Sequence, residues 1–500
     1  MLCLSFVSNH TSCIGSDLEL SDEEAAEMKE KLIEKGGWLE NDVARARLVY
    51  INGRFCPRLS LVNDSARNMN ESDLDDDEIR KCLSRLTDGF TDELATPVPA
   101  GRLDELTSFS KLSGPNHNMG DPTSQFAINT QQGTACFAAL NTARTGAVAF
   151  VRQPPGTDKD VDMEGSIKPV LIVNAISRSV GASSAAPGRG AACHPRTLVI
   201  AEEESRLSLV QSCVDLDEGE KRPTLYNGYT QVFVKKGANV THSYLEETGG
   251  VVTGGTEISD DMVPEGETSP REIEAARPEL MDTHLETIDA HIIGEDASYR
   301  STLLSFGGSG RVRIALSVSL LRSGSSTTIK GFSLAGGAQR TDIKTNIHHI
   351  AQGTSSEQVQ KNMIGGRATG SFRGRIRVEQ SAQQTDSDQL SRTILLSDKA
   401  RAWAAPTLEI IADDVKCAHG ATVSDLSEEE LFYLRSRGLD VATARNMLMY
   451  AFAGDISVCV DPSMRGEVDS KSGVTSRVIR RLENLVPRGE RKVKGEFQSI

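Results

Sequence analysis

From Phe126 to Val423 the apolar positions fall into short runs separated by Gly, Asn, Ser and Asp, and helical periods are nearly absent between them. Val170 to Asn174, Thr197 to Ala201, Leu207 to Gln211, Thr230 to Val234, Val312 to Leu321 and Thr327 to Leu334 read as strands. Thr345 to Ile350, Gly374 to Val378, Thr393 to Leu396 and Leu408 to Ile411 continue the series. Recurring short strands with turn signals between them point to a sandwich, a barrel or a solenoid. So many in one stretch favour coils stacked along an axis. No strict hexapeptide repeat is visible, so the pattern alone leaves the choice open.

The pattern changes on both sides of this region. Asp22 to Lys35 is a short amphipathic segment, and Leu48 to Phe55 alternates around Asn52-Gly53, a hairpin signal. Glu78 to Leu86 has helical spacing, with Ile79, Cys82, Leu83 and Leu86 on one face. Inside the strand region, 246–282 is acidic, contains Gly and Pro and lacks aromatic residues, the composition of a solvated insertion. Beyond Val423 the period turns helical. Ser427 with Glu430 forms a capping box ahead of Leu431, Phe432 and Leu434, and Gly438 ends that helix. A second helix begins near Asp440 and runs through Ala444, Met447, Leu448, Ala451 and Phe452, and a third covers Thr475 to Leu485 ahead of a basic tail. The expected organisation is an N-terminal region over 1–120, partly helical and partly disordered, a strand-built core over 121–424 and a helical domain over 425–500.

Composition narrows the function classes. Lys and Arg total 55 against 70 Asp and Glu, a formal charge of -15 that opposes a phosphate backbone. Nine cysteines at irregular spacing do not form a disulfide framework and fit a reducing compartment. No stretch approaches a membrane span, and MLCLSFV, short and without a basic flank, makes a poor targeting peptide. There is no GxxxxGK[ST] loop, so no nucleotide is expected on this chain.

Candidate chemistry concentrates in LEIIADDVKCAHGATV, Leu408 to Val423. Cys417 and His419 lie two positions apart on a strand, hence on one face with Cα atoms roughly 6.5 Å apart. A thiolate and an imidazole suit zinc, copper or iron. A closed structural site needs about four ligands, so the pair is half of something completed by another chain, or it is core packing. Cys193-His194 and His348-His349 are adjacent and diverge along an extended chain, and His284 and His291 are of opposite parity. Asp413-Asp414 diverge in the same way, and a turn between strands explains them more simply than paired carboxylates of a β-helix enzyme acting on polysaccharide.

Several longer segments resemble one family in its own order. They are LVYINGRFCPRLS (Leu48 to Ser60), FAALNTA (Phe137 to Ala143), PRTLVIAEEESRLSLVQS (Pro195 to Ser212), RGRIRVEQSAQQTDSDQLSRTILLSDKA (Arg373 to Ala400) and PTLEIIADDVKCAHGATV (Pro406 to Val423), followed by LSEEELFYLRSRGLDVATARNMLMYAFAGDI. Together these resemble SufD, a subunit type of the Suf iron–sulfur cluster assembly scaffold. SufB-type chains match less well, because their cysteines cluster elsewhere and this chain has no CxxC. The resemblance implies a mainly β fold, a right-handed parallel β-helix core with a small C-terminal α-helical domain and an abbreviated N-terminal helical region. It implies a non-catalytic subunit that pairs through the β-helix with a SufB-like chain and binds a SufC-like ABC ATPase through the C-terminal helices. Leu431, Phe432, Leu434, Arg445 and Met449 are then the docking candidates. A transient iron–sulfur cluster would form at the SufB interface, with His419 and Cys417 as ligands or relay and His349 as a candidate on the assembly surface. A purely structural subunit that never touches the cluster is the main alternative. The family works in plastids and in bacterial cytosol, and the insertion leans towards a plastid stroma.

Overall fold

The short runs are strands of two parallel sheets wound by one chain. The computed structural model of the protein describes 20–36, 46–61, 148–155, 167–177, 191–217, 224–249, 282–457 and 473–485, the strand Cys3–Val7 and a few positions near 18, 44 and 137–145. The helix expected over Glu78 to Leu86, most of the acidic insertion and the basic tail lie outside the described residues.

Each strand of the core pairs with the next but one in sequence. In the front sheet Thr283–Ile292 pairs in parallel with Arg311–Leu320, then Arg340–His349, Thr369–Val378 and Arg401–Ile410 follow in order. In the back sheet the order runs Asn239–Glu247, Ser298–Ser305, Ser326–Ala335, Ser355–Ile364, Thr385–Leu395 and Val415–Ser424. The chain therefore alternates between sheets and climbs one layer per circuit, which makes a parallel β-solenoid. Antiparallel pairing is confined to the start: Cys3–Val7 on Val148–Gln153, and the Ala46–Ile51 and Arg54–Phe55 hairpin. There Asn52 and Gly53 have φ of 53° and 75°, both left-handed as a tight hairpin turn requires.

A repeat that the sequence hides appears at one corner of the coils. Glu204, Gly237, Asp296, Gly353 and Gln384 all have positive φ. Each donates its backbone N–H to the next layer, to the carbonyls of Lys236, Glu295, Ser323, Gln383 and Asp414. Asp413-Asp414 is thus the last corner of this ladder, and the Asp414 N–H is itself taken by Gln383 Oε1 at 2.9 Å.

Two cores hold the solenoid. Inside the coil, in-register files such as Ala290, Val318, Ile347 and Ile376 are buried, with Leu408 packed on top. Outside the back sheet, Leu171, Val173, Val210, Phe332 and Met363 pack against Leu32 of the Asp22–Gly36 helix and against Met449, Ala453, Val478 and Leu482 of the C-terminal helices. Val170–Ile176 is covered on both faces and is buried at every position, so it reads as an unbroken apolar run. Thr385–Leu395 faces solvent on one side and alternates buried with exposed.

The C-terminal helices form as their caps dictate. Ser427 Oγ accepts from the Glu430 N–H ahead of Glu428–Ser436, and Gly438, at φ 90°, lets its N–H reach the Arg435 carbonyl at the far end. Asp440 Oδ1 accepts from the Thr443 N–H at 3.0 Å and caps Val441–Ser457. Two polar clasps fix these helices to the solenoid. Lys361 Nζ reaches Asp455 at 2.5 Å and the Phe452 carbonyl at 3.1 Å, and Arg477 of Val474–Leu485 reaches Glu247 at 3.2 Å.

Candidate functional site: the open end of the coil

Among the described residues both sheets stop at the same layer. Arg401–Ile410 is the end strand of the front sheet and Val415–Ser424 of the back sheet. Each leaves one edge of backbone donors and acceptors without a neighbouring strand, the feature that proteins otherwise cover or blunt. Burial falls off accordingly: the last strand is exposed or half-buried throughout, and Trp403, Ile410, Ile411 and Val423 are large apolar side chains left in contact with solvent.

Cys417 and His419 belong to this layer. Their in-register neighbours one layer below are Ser387 and Gln389, both buried inside the coil, so the pair continues two interior files onto the open face. Cys417 is half-buried and packs against the inner core, while His419 is exposed. Burial, reinforced by the carboxylates of Asp386 and Asp388 on the adjacent strand, pushes the Cys417 thiol above its ordinary range. Among the described residues no three His, Cys, Asp or Glu side chains come together as a ligand set. Two donors on an open layer can contribute to a shared site and cannot close one.

The files beneath the pair are polar. Under Cys417, Ser387 Oγ lies 2.6 Å from Ser356 Oγ, which lies 2.9 Å from His349 Nε2, and His349 Nδ1 is 2.8 Å from Thr354. Under His419, Gln389 Nε2 donates to Gln358 Oε1 at 2.7 Å, and Gln358 Nε2 donates to Thr345 at 2.6 Å. Among the described residues, Gln389 Oε1 and Ser391 Oγ in the top buried layer have no hydrogen-bond partner. This arrangement corrects the expectation for His349. It is fully buried and points into the coil, because the parity of its strand sends His348 outward to Glu379 and His349 inward to the Thr354 and Ser356 hydroxyls. Burial holds its imidazole neutral, down to about 3, so it is not on an assembly surface.

The helical candidates divide in the same manner. Phe432 is 72 % exposed, its neighbour Tyr433 is exposed too, and Met447 on the following helix is exposed. Leu434, Tyr433 and Leu448 line a shallow depression with Glu429 and Glu430. Leu431 is half-buried, and Arg445 lies 3.8 Å from Asp425. Met449 departs from expectation: it is buried in the core between the helices and the back sheet and has no surface to offer a partner.

One cluster escaped sequence reasoning. Deep in the coil, Tyr244 OH lies 2.7 Å from His284 Nε2 and 3.1 Å from Glu286 Oε2, and Thr230 Oγ1 donates to Glu286 Oε1 at 2.9 Å. The Cys213 thiol donates to Tyr226 OH at 3.0 Å beside it. Burial pushes Glu286 up to about 8 and the Cys213 thiol well above its ordinary value, so both are protonated at neutral pH. A Cβ on Gly228, the residue in register with Glu286, would fall 1.9 Å from Glu286 Oε2, so only glycine leaves room for the carboxyl. The available signal was parity, since His284 and Glu286 share a face of one strand.

Comparison with known proteins bears on this site. Residues 183–452 match the family described as SUF system FeS cluster assembly, SufBD core domain. The chain is similar to an iron–sulfur cluster assembly SufBD family protein of Synechocystis, 26% identical over 417 residues, covering 82% of this chain and 73% of that protein. It is also similar to the chloroplastic protein ABCI7 of Arabidopsis thaliana, 29% identical over 53% of this chain and 48% of that protein. To the iron–sulfur cluster assembly protein SufD of Escherichia coli it is 32% identical over 40% of this chain and 45% of that protein. The matched stretch thus spans about half the length of the latter two relatives.

Proposed function

Because the chain belongs to the SUF-system iron–sulfur cluster assembly family that shares the SufBD core domain, we propose that it serves as a SufD-type, non-catalytic scaffold subunit. It pairs with a SufB-like chain that continues the two sheets from the open end of the coil. His419, supported by Cys417, supplies donors from this side to a transient cluster whose remaining ligands come from that partner. The cluster is cargo of the assembly. A SufC-like ATPase seats on the exposed face of Phe432, Tyr433 and Met447, and the nucleotide chemistry belongs to that subunit. The chloroplastic name of one relative supports work in a plastid stroma, with a bacterial-type cytoplasm as the alternative.

One observation carries this reading: the layer that bears Cys417 and His419 ends both sheets among the described residues, and its strand Val415–Ser424 is exposed or half-buried throughout. The test is co-expression with SufB-like and SufC-like chains, followed by iron and sulfide analysis of the purified complex. Loss of cluster in a His419→Ala complex that still contains all subunits supports it. Full cluster yield from His419→Ala and Cys417→Ala complexes overturns it.

A purely structural role is the second reading, favoured by the raised Cys417 thiol and by the lack of a third donor beside the pair among the described residues. Cluster spectra of wild-type and His419→Ala complexes separate the two, since an unchanged spectrum leaves only the structural role. The polysaccharide-enzyme reading is the weaker one, because Asp413-Asp414 forms a corner turn whose Asp414 backbone N–H and carbonyl join the ladder.

A further inference from the structure

The outer face of the front sheet carries more positive charge than an ion-pair ladder needs, on a chain whose formal charge is -15. Asp342 alone serves three cations: Arg313 Nε at 3.1 Å, Arg373 Nη2 at 3.2 Å and Lys344 Nζ at 3.9 Å. Three cations on one carboxylate leave a surplus of two. The register concentrates it, because Lys344 is directly opposite Arg373. Like charges at such positions lie on strands about 4.8 Å apart and are destabilising. A ladder kept only for stability would alternate in sign. Lys344 feels the strain: burial draws its ammonium below the ordinary value against the pull of Asp342, and Arg313 and Arg373 add to that fall.

An apolar anchor lies next to these charges. Ser371 donates to Asp342 Oδ1 at 2.6 Å, and its in-register neighbour on the end strand is Trp403, 57 % exposed. Surplus cations beside a solvent-facing indole are the make-up of a protein-recognition patch, in which Arg and Trp are the residues that most often dominate binding.

We propose that this face docks a short acidic segment of another protein, its carboxylates held by Arg373, Lys344 and Arg313 around Asp342 and an apolar side chain laid on Trp403. Partial neutralisation decides the class of partner. With Asp342 already pairing these cations, the surplus of two suits about two carboxylates and falls well short of the roughly six to ten phosphate contacts typical of a nucleic-acid footprint. The cations lie on inner strands of the front sheet, and Trp403 lies on its end strand, so the patch adjoins the end at which the proposed function places a partner chain.

The test uses the full chain and a fluorescein-labelled Asp-Glu-Asp-Phe-Glu-Asp peptide, with the Asn/Gln version of that peptide and an oligothymidine as comparators. The expected result is saturable anisotropy at low salt for the acidic peptide only, weakened about tenfold in a Lys344→Gln/Arg373→Gln chain and in Trp403→Ala. Melting temperature is expected to hold in the double variant, since it removes mutual repulsion as well as attraction. No binding by the wild-type chain, binding indifferent to these substitutions, or tighter binding of oligothymidine each overturns the proposal. A fall in melting temperature without loss of binding overturns it too, because the charges would then be structural only.

Discussion

Cys417 stacks in register on Ser387, and through Ser387 and Ser356 the thiol tops a file of hydroxyls that ends at the imidazole of His349. The candidate ligand on the open face thus stands in register above interior side chains that can donate or accept, while His419 beside it is exposed.

His419→Ala is expected to leave folding and subunit assembly intact and to lower cluster yield by about tenfold or more, the usual cost of losing a ligand or its support. Cys417→Ser should cost less. Because the Cys417 thiol is raised and must lose its proton to bind metal, yield should rise with pH in the wild type and less so in Cys417→Ser. Iron and sulfide per complex across a pH series checks this, and parallel curves would remove Cys417 from the site.

His349→Ala should destabilise the chain by about 2–3 kcal/mol, through lost volume and the hydrogen bonds to Thr354 and Ser356. His348→Ala removes only a part-exposed contact to Glu379 and should cost under about 1 kcal/mol. Urea unfolding of the two variants distinguishes them, and equal losses would contradict the inward and outward assignment.

Stability should pass through a maximum near neutral pH. Glu286 titrates at about 8 in the folded chain against an ordinary 4.5, so the native state holds a proton that the unfolded state releases, and this contribution is lost as pH rises through about 8. His242 at about 4, His284 at about 3 and His349 at about 3 have the opposite sign. The unfolded state protonates them near 6.5 and the native state does not, so their contribution is complete above 6.5 and is lost as pH falls below it. Three imidazoles against one carboxyl make the acid limb the steeper, with losses on the order of a few kcal/mol by about pH 5. Glu286→Gln should flatten the alkaline limb and leave the acid limb in place, as thermal melts across pH will show.

Met449→Ala is expected to destabilise by about 2–4 kcal/mol because it opens the core between helices and sheet. Phe432→Ala, at a side chain that is 72 % exposed, should leave stability within about 0.5 kcal/mol and weaken capture of the ATPase subunit. Melting curves and pull-down of the two variants check the division, and a Phe432→Ala chain that retains full ATPase binding would move the docking face elsewhere.

The strands that were legible are those with apolar interior rows, such as Arg311–Leu320, where Val312, Ile314, Leu316 and Val318 alternate inward. Asn239–Glu247, Ser298–Ser305 and Ser355–Ile364 were not, because their inward positions include His242, Ser301, Ser356, Gln358 and Gln360, which carry no hydrophobic period. Ser356 and Gln358 are held by His349, Ser387, Thr345 and Gln389 on other strands, and no single strand displays that.

The sequence by itself determined the strand-rich core, the helical ending with its Ser427 and Asp440 caps, and the shared face of Cys417 and His419, since each follows from spacing along one local segment. Tertiary structure alone decided that the shared face lies in the layer that ends both sheets among the described residues, that His349 and Met449 are inside, and that Glu286 keeps its proton among Tyr244, His284 and Thr230. Those outcomes depend on what residues roughly thirty positions away bring to the adjacent layer, because burial and hydrogen-bond partners in a stacked coil come from the layers above and below.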